Sequence, residues 1–550
     1  MTDPATRPGL TSEAPPRGLD VPGQLGTTRR PRRWPDRRPA AATVRAVARP
    51  PESAVAAVPM VGPVFHHIDP QQHRPARDWA LFALLVGYPV WRVLGVVLIV
   101  VPLLAIPMAL ELYRRRRLRF PAGASLWILL IIIGLLSVIM INATPPGAVP
   151  PVASLNRYLA WGLRIADYIA AGVILLYVGN LTERELPTSR VIKMLGALFV
   201  TCTLGGVAGM LFGGVDVLTP VGHLLPESLR SNGFISNLVT LNLAQNQDII
   251  GATAPRPEFP LTYTNTWGEC MVLLVPWFVL AVIRGKRTLG WRATGIAVLV
   301  IAIVPTVYSL NRGMWIGLGV LFVLLLIRLA QTGRGPQVAV IVGVGAVAAI
   351  IFLTTPLSTV ITDRINNPHS NDGRANINVA AVNAAKASPL IGFGGQAGVI
   401  GSRRSIAIGP TPNCPQCGNL TIGGDGQMWL LLITEGFAGA GLYVLFFARF
   451  AWRYRRDISP VGTAGLMMVP AALWFMTVYP ATDLPLVIMF VGMGLWWRNS
   501  LEQRPSITEL TAMPPRDLAR RPPGVQLAGL GSRGPDRPPM RRPGVEQPPV

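Results

Sequence analysis

Gly424-Asp425-Gly426-Gln427-Met428-Trp429-Leu430-Leu431-Leu432-Ile433-Thr434-Glu435-Gly436-Phe437-Ala438-Gly439 is a junction between two kinds of sequence. Upstream, residues 355–427 are polar and rich in glycine. Downstream, apolar residues continue to Phe450. Ordinary connections between helices are far shorter than this polar stretch. The stretch therefore reads as a working surface between two membrane segments, and the rest of the chain is ordered around it.

The chain has 550 residues, of which 50% are hydrophobic and only 14% charged. Its apolar runs recur at close to bilayer length, which excludes a string of soluble domains. The sequence predicts an all-α polytopic membrane protein. Outward from the junction, apolar segments are expected at Met428–Phe450, Thr463–Val478 and Leu484–Trp497 on one side. On the other side they are Val338–Leu353, Trp315–Leu329, Leu289–Tyr308, Tyr263–Ile283, Met194–Phe212, Leu159–Val178 and Ser125–Asn142. Trp79 to Leu112 is too long for one span. Tyr88-Pro89 and Arg92 break it into a short helix, a turn and a second helix from Val93. The total is about 12 transmembrane helices, with the large loop 355–427 between the ninth and tenth.

The formal net charge is +23, nearly all of it from arginine. Alternating sides from the Arg114–Arg117 cluster puts the short basic loops at Arg184/Arg190/Lys193, Arg284/Lys286/Arg287, Arg328/Arg334 and Arg453/Arg455/Arg456 on one face. By the positive-inside rule that face is cytoplasmic. Both termini are then cytoplasmic in an inner-membrane protein, and residues 213–262 and 355–427 lie outside. Residues 1–77 and 499–550 are Pro/Arg-rich with no sustained period, so they read as disordered tails around the membrane domain 78–498. The N-terminal tail has no apolar core of a signal peptide. No basic stretch interleaves with aromatics, so no nucleic-acid partner is expected, whereas membrane lipids are.

Three residues stand out for chemistry. Arg312, in Ser309-Leu310-Asn311-Arg312-Gly313, is placed at the outer end of a helix pair. There it can hold a phosphate through paired hydrogen bonds, or snorkel at a helix end. Arg374, in Asn371-Asp372-Gly373-Arg374, opens a loop helix carrying Ile377, Val379, Ala381 and Val382. Asp425 precedes a helix and is either its N-cap or a general base on an acceptor hydroxyl.

Around them, Gly392 and Gly394 in Pro389-Leu390-Ile391-Gly392-Phe393-Gly394-Gly395 let backbone approach a ligand closely. Arg403 and Arg404 add positive charge, and Asn265 and Glu269 lie near the outer end of their helix; all six are candidate substrate contacts. Glu435 is an intramembrane acid, either polar glue between helices or part of the site. Cys414-Pro415-Gln416-Cys417 outside the cytoplasm reads as a small disulfide loop. Zinc needs two further ligands, and His369 is the only strong candidate nearby, so no metal and no cofactor are expected.

Asp425-Gly426, nine residues, then Gly436-Phe437-Ala438-Gly439 resembles the signature of the O-antigen ligase/polymerase superfamily, His-Asn, nine residues, Gly-x-x-Gly. Gly373-Arg374 with Pro389-Leu390-Ile391-Gly392-Phe393-Gly394 is similar to the family's Gly-Arg … Pro-Leu-hydrophobic-Gly-aliphatic-Gly element. Ser309-Leu310-Asn311-Arg312 is similar to its Ser-Arg element, and Pro260 to Asn265 to an Asn-containing motif. The resemblance spans Trp79 to Trp497.

It implies a membrane glycosyltransferase that needs neither nucleotide sugar nor metal. The donor is an undecaprenyl-diphosphate-linked glycan, and the acceptor is a glycan, a lipid or the cell wall. Arg312 and Arg374 would bind the diphosphate leaving group. The family's His, here Asp425, would activate the acceptor. Two other classes stay open: a transporter or flippase of lipid-linked oligosaccharide, and a non-catalytic scaffold of an envelope complex.

Overall fold

The structure is a computed structural model. It describes residues 78–502 except 231–232, 249–252, 286–287, 355–357, 360–361, 364–370 and 400–420. The two tails, Arg403, Arg404 and the Cys414/Cys417 pair lie outside the described residues.

The first apolar run folds as three pieces, α1 (Trp79–Leu85), α2 (Tyr88–Leu94) and α3 (Val97–Tyr113). The expected break at Arg92 moves downstream, because Pro89 starts α2 comfortably and left-handed Gly95 ends it. Arg92 is fully buried, and its guanidinium donates to the carbonyls of Leu238, Thr240 and Leu261 at 2.8–3.1 Å. It ends as a clamp on residues 238–261, holding three carbonyls that need a donor.

Next come α4 (Ala124–Leu136), α5 (Leu155–Asn180) and α6 (Thr188–Leu211). Residues 213–262 then hold three short helices, α7 (Pro220–Leu224), α8 (Glu227–Arg230) and α9 (Gly233–Val239). The same segment carries four short strands: β1 (Asp216–Leu218) pairs antiparallel with β2 (Thr240–Asn242), and β3 (Ala244–Asp248) with β4 (Thr253–Pro257). The long helices resume with α10 (Thr264–Arg284), α11 (Leu289–Tyr308), α12 (Arg312–Gln331) and α13 (Gly335–Leu353). The polar segment contributes α14 (Asn371–Ala387) and the two-residue pair β5 (Ala397–Gly398) and β6 (Thr421–Ile422). The chain closes with α15 (Gln427–Tyr454), α16 (Pro460–Phe475) and α17 (Leu484–Glu502).

Among the described residues, seven helices are long and apolar enough to cross a membrane: α5, α6, α10, α11, α12, α15 and α17. The helices α3, α4, α13 and α16 are apolar and shorter. In lipid, such helices associate through close packing and interhelical hydrogen bonds, so small residues mark the crossings. Gly465 faces the Trp496 ring, Gly206 lies between Trp267 and Pro305, and Gly494 meets Val178. Trp127 of α4, Tyr443, Phe446 and Phe447 of α15 and Phe490 of α17 form one aromatic cluster.

The two ends of the bundle differ in chemistry. One end is basic and ion-paired: Arg115 meets Glu185 at 2.6 Å, Arg190 meets Asp78 at 2.6 Å, and Arg498 reaches Glu183 at 3.4 Å and Thr188 at 2.8 Å. The other end carries the start of α15, where Gln427 N–H donates to the Tyr479 carbonyl at 2.9 Å, and the turn before α17. Tyr88 there donates to Asp483 at 2.7 Å and joins α2 to the turn before α17.

Candidate active site

α15 is broken where its sequence requires it. Gly436 has φ 69° and ψ −168°, a conformation essentially restricted to glycine. The break frees backbone groups, and the turn after α14 takes them up. Phe393 N–H donates to the Ile433 carbonyl at 2.7 Å, Gly394 N–H to Thr434 at 3.0 Å, and Ala438 N–H to Pro389 at 3.0 Å. A Cβ on Gly392 would sit 2.5–2.6 Å from the backbone of Thr434 and Glu435. The sequence expectation gave Gly392 and Gly394 a close approach to a ligand; in the structure Gly392 packs on α15 and Gly394 on Ser137. Their freedom serves the docking of the loop. Gly436→Ala is expected to cost about 3 kcal/mol or more, read as a lower unfolding temperature in detergent.

Two arginines of α5 secure the same turn. Arg164 makes a buried ion pair with Glu435 at 3.1 Å and donates to the Gly394 carbonyl at 2.9 Å. Arg157 donates to the Gln396 carbonyl at 3.0 Å. Glu435 is thus interhelical glue, the first of its two sequence readings. Arg164 was missed from sequence, although an arginine inside an apolar helix was the available signal. Arg164→Met strands the Glu435 charge and is expected to destabilise by about 3–5 kcal/mol, with the Arg164→Met/Glu435→Met pair recovering much of the loss in the same melt.

With its end pinned, α14 lies along α15. Ile377, Ala381, Ala384 and Ala385 are buried at helical spacing, while Val379 is 60% exposed. This seating brings Arg374, near the start of α14, to Asp425, just ahead of α15; Nε and Oδ1 are 3.9 Å apart. The N-cap of α15 is Gly426, with no side-chain cap hydrogen bond, so the capping reading of Asp425 does not describe this helix. Asp425 Oδ2 is buried and has no hydrogen-bond partner among the described residues. Burial pushes the Asp425 carboxyl above the ordinary carboxylate range, and the Arg374 guanidinium opposes that in part.

Arg312 opens α12 and is half-buried. The corner before it is strained: Leu310, which has a side chain, sits at φ 53°. Asn311 caps α12 by accepting from Met314 N–H at 2.9 Å, and Arg256 of β4 donates to the Ser309 carbonyl at 2.7 Å. Arg256 was not singled out from sequence, since nothing local distinguishes a strand arginine that braces a distant turn. Asn265 lies half-buried in the first turn of α10. Glu269 is fully buried one turn on, with neither carboxylate oxygen hydrogen-bonded among the described residues. The structure therefore pairs Arg374 with Asp425 directly and sets Arg312 on an adjoining, separately braced corner. No group of three or more metal-ligating side chains occurs among the described residues.

Residues 297–415 match the family model described as O-antigen ligase. The match supports membership of the O-antigen ligase superfamily. The matched stretch of the O-antigen ligase model includes Arg312, Arg374, Gly392 and Gly394, and it ends before Asp425. No curated protein matches the chain. The superfamily points to a membrane enzyme of glycan transfer in polysaccharide assembly.

Proposed function

We propose that this protein transfers a glycan from a lipid-diphosphate carrier, of the undecaprenyl class, to an acceptor hydroxyl at the outer face of the cytoplasmic membrane. The observation that carries the reading is the meeting of Arg374 and Asp425, where Asp425 is half-buried and free of any capping duty. In the step, the acceptor oxygen forms a bond to the anomeric carbon of the donor as the bond from that carbon to the diphosphate oxygen breaks. Asp425 takes the hydroxyl proton and later releases it to water. The diphosphate leaves with the electron pair, and Arg312 and Arg374 stabilise the charge that accumulates on it. Those fixed cations supply what a nucleotide-sugar enzyme draws from a metal ion, so the reading needs neither metal nor nucleotide sugar.

The test is to reconstitute the purified chain in liposomes with an undecaprenyl-diphosphate-linked oligosaccharide and an acceptor glycan. The expected result is a glycan of increased mass with release of undecaprenyl diphosphate. Movement of intact donor between leaflets without cleavage would instead establish a flippase.

Asp425 also sets an expected pH dependence. The base is active when ionised, so kcat/KM should fall as pH drops through its raised pKa, above the ordinary value of about 3.9. Arg374→Gln removes the opposing cation, so the acid limb should move to higher pH; a limb that stays put would assign it to another group.

A further inference from the structure

Asp425 and Arg312 belong to segments far apart in sequence, and one short piece of chain touches both. It is Trp474–Tyr479, the end of α16 and the turn after it. On the Asp425 side, Gln427 N–H donates to the Tyr479 carbonyl at 2.9 Å and Met428 N–H to the Met476 carbonyl at 2.8 Å. Trp429 Nε1 donates to the Thr477 carbonyl at 2.9 Å. A Cβ on Gly426 would stand 2.9 Å from the Met476 carbonyl oxygen and 3.0 Å from Thr477, so the two backbones are in direct contact. On the Arg312 side, Trp474 Nε1 donates to the Gly313 carbonyl at 2.9 Å, and the Tyr479 hydroxyl donates to Asn311 Oδ1. Asn311 Oδ1 is also the oxygen that caps α12, so a single atom serves the helix carrying Arg312 and the bracket. The Phe475 and Tyr479 rings stack at 5.7 Å, which fixes the direction of the hydroxyl.

We infer that Trp474–Tyr479 is a bracket that sets the separation of Asp425 and Arg312, with Tyr479 as its positioning residue through the hydroxyl contact to Asn311. Tyr479 is buried, so it acts through Asn311 and not on substrate. The inference rests on the glycan-transfer reading for its consequence in rate but not for its geometry. A base on one arm and a cation on the other must be held to a fraction of an ångström, and a misplacement of 1 Å can cost about 10²-fold.

The test uses the full chain and two readouts. In the liposome assay with undecaprenyl-diphosphate-linked oligosaccharide, Tyr479→Phe keeps the ring and removes the donor. It should lower kcat about 10²-fold with KM for the donor essentially unchanged. Trp474→Phe should give a smaller fall of the same kind. Tyr479→Phe/Asn311→Ala should cost no more than the worse single variant, because both remove one contact. The second readout is the spin-label distance between Ile316→Cys on α12 and Val379→Cys on α14, both exposed, in a Cys414→Ser/Cys417→Ser background. Tyr479→Phe should broaden that distribution. Unchanged kcat with an unchanged distribution overturns the bracket, as does a KM rise that accounts for the whole loss. If the unmodified chain transfers no glycan, the functional reading fails, and the distance distribution alone decides the bracket.

Discussion

Asp425→Asn is expected to reduce glycan transfer by about 10²–10⁴-fold, the usual contribution of a positioned general base. The substitution preserves size and shape and removes only the ability to accept a proton. It leaves the α15 terminus intact, because Gly426 occupies the cap and Gln427 and Met428 hang from the backbone of 476–479. Thermal stability in detergent should therefore stay near that of the parent. An asparagine still accepts a hydrogen bond and would satisfy a cap equally well. A stable Asp425→Asn protein with full turnover would thus remove Asp425 from the chemistry, whereas a stable, inactive one leaves no structural explanation for the loss. The half-buried carboxyl, with one oxygen that has no partner among the described residues, is the feature that makes the first outcome unexpected.

Arg312→Ala and Arg374→Ala are each expected to lower kcat by about 10²–10³-fold, as for the loss of one fixed group stabilising a departing anion. The two should differ in their side effects. Arg374 is partly exposed and 3.9 Å from Asp425, so its pairing adds little to stability and Arg374→Ala should fold normally. Its loss also removes a cation beside the base, which links it to the pH shift above. Arg312 stands at a corner held by Asn311, Arg256 and Tyr479, and these contacts do not involve its guanidinium. Arg312→Lys keeps the charge but not the planar fork, so partial rescue of kcat by Lys would assign a point-charge role and none a bidentate one. Surface glycan measured in cells that carry each variant in the membrane provides the same comparison without purification. Unchanged glycan with either alanine variant would sink the proposed role of that arginine.

Much of the helical architecture was legible because apolar runs of near-bilayer length are a local property of sequence. The expected apolar segments coincide with helices, and seven of those helices are long and apolar enough to span. The first run was legible only in part. Tyr88-Pro89 announced a break, but Gly95 ends α2, and the burial of Arg92 depends on three carbonyls that lie 146 to 169 residues away in the chain.

The site divides in the same way. Arg312, Arg374 and Asp425 could be picked out because each sits in a short motif at the edge of an apolar segment, where an arginine or an acid is costly without a purpose. A helical membrane chain, its long polar segment and the residues at the edges of that segment could thus be read from residue order alone. Tertiary structure alone decided which of those residues meet. It brought Arg374 to Asp425 by seating α14 on α15, turned Gly392 and Gly394 into docking points for the Gly436 break, and gave Glu435 to Arg164. It also put Trp474–Tyr479 between the two arms. The physical reason is that each of these outcomes is a contact between groups whose separation along the chain exceeds any helical or turn period. Composition and spacing carry no record of such a contact; it exists only once the helices have packed.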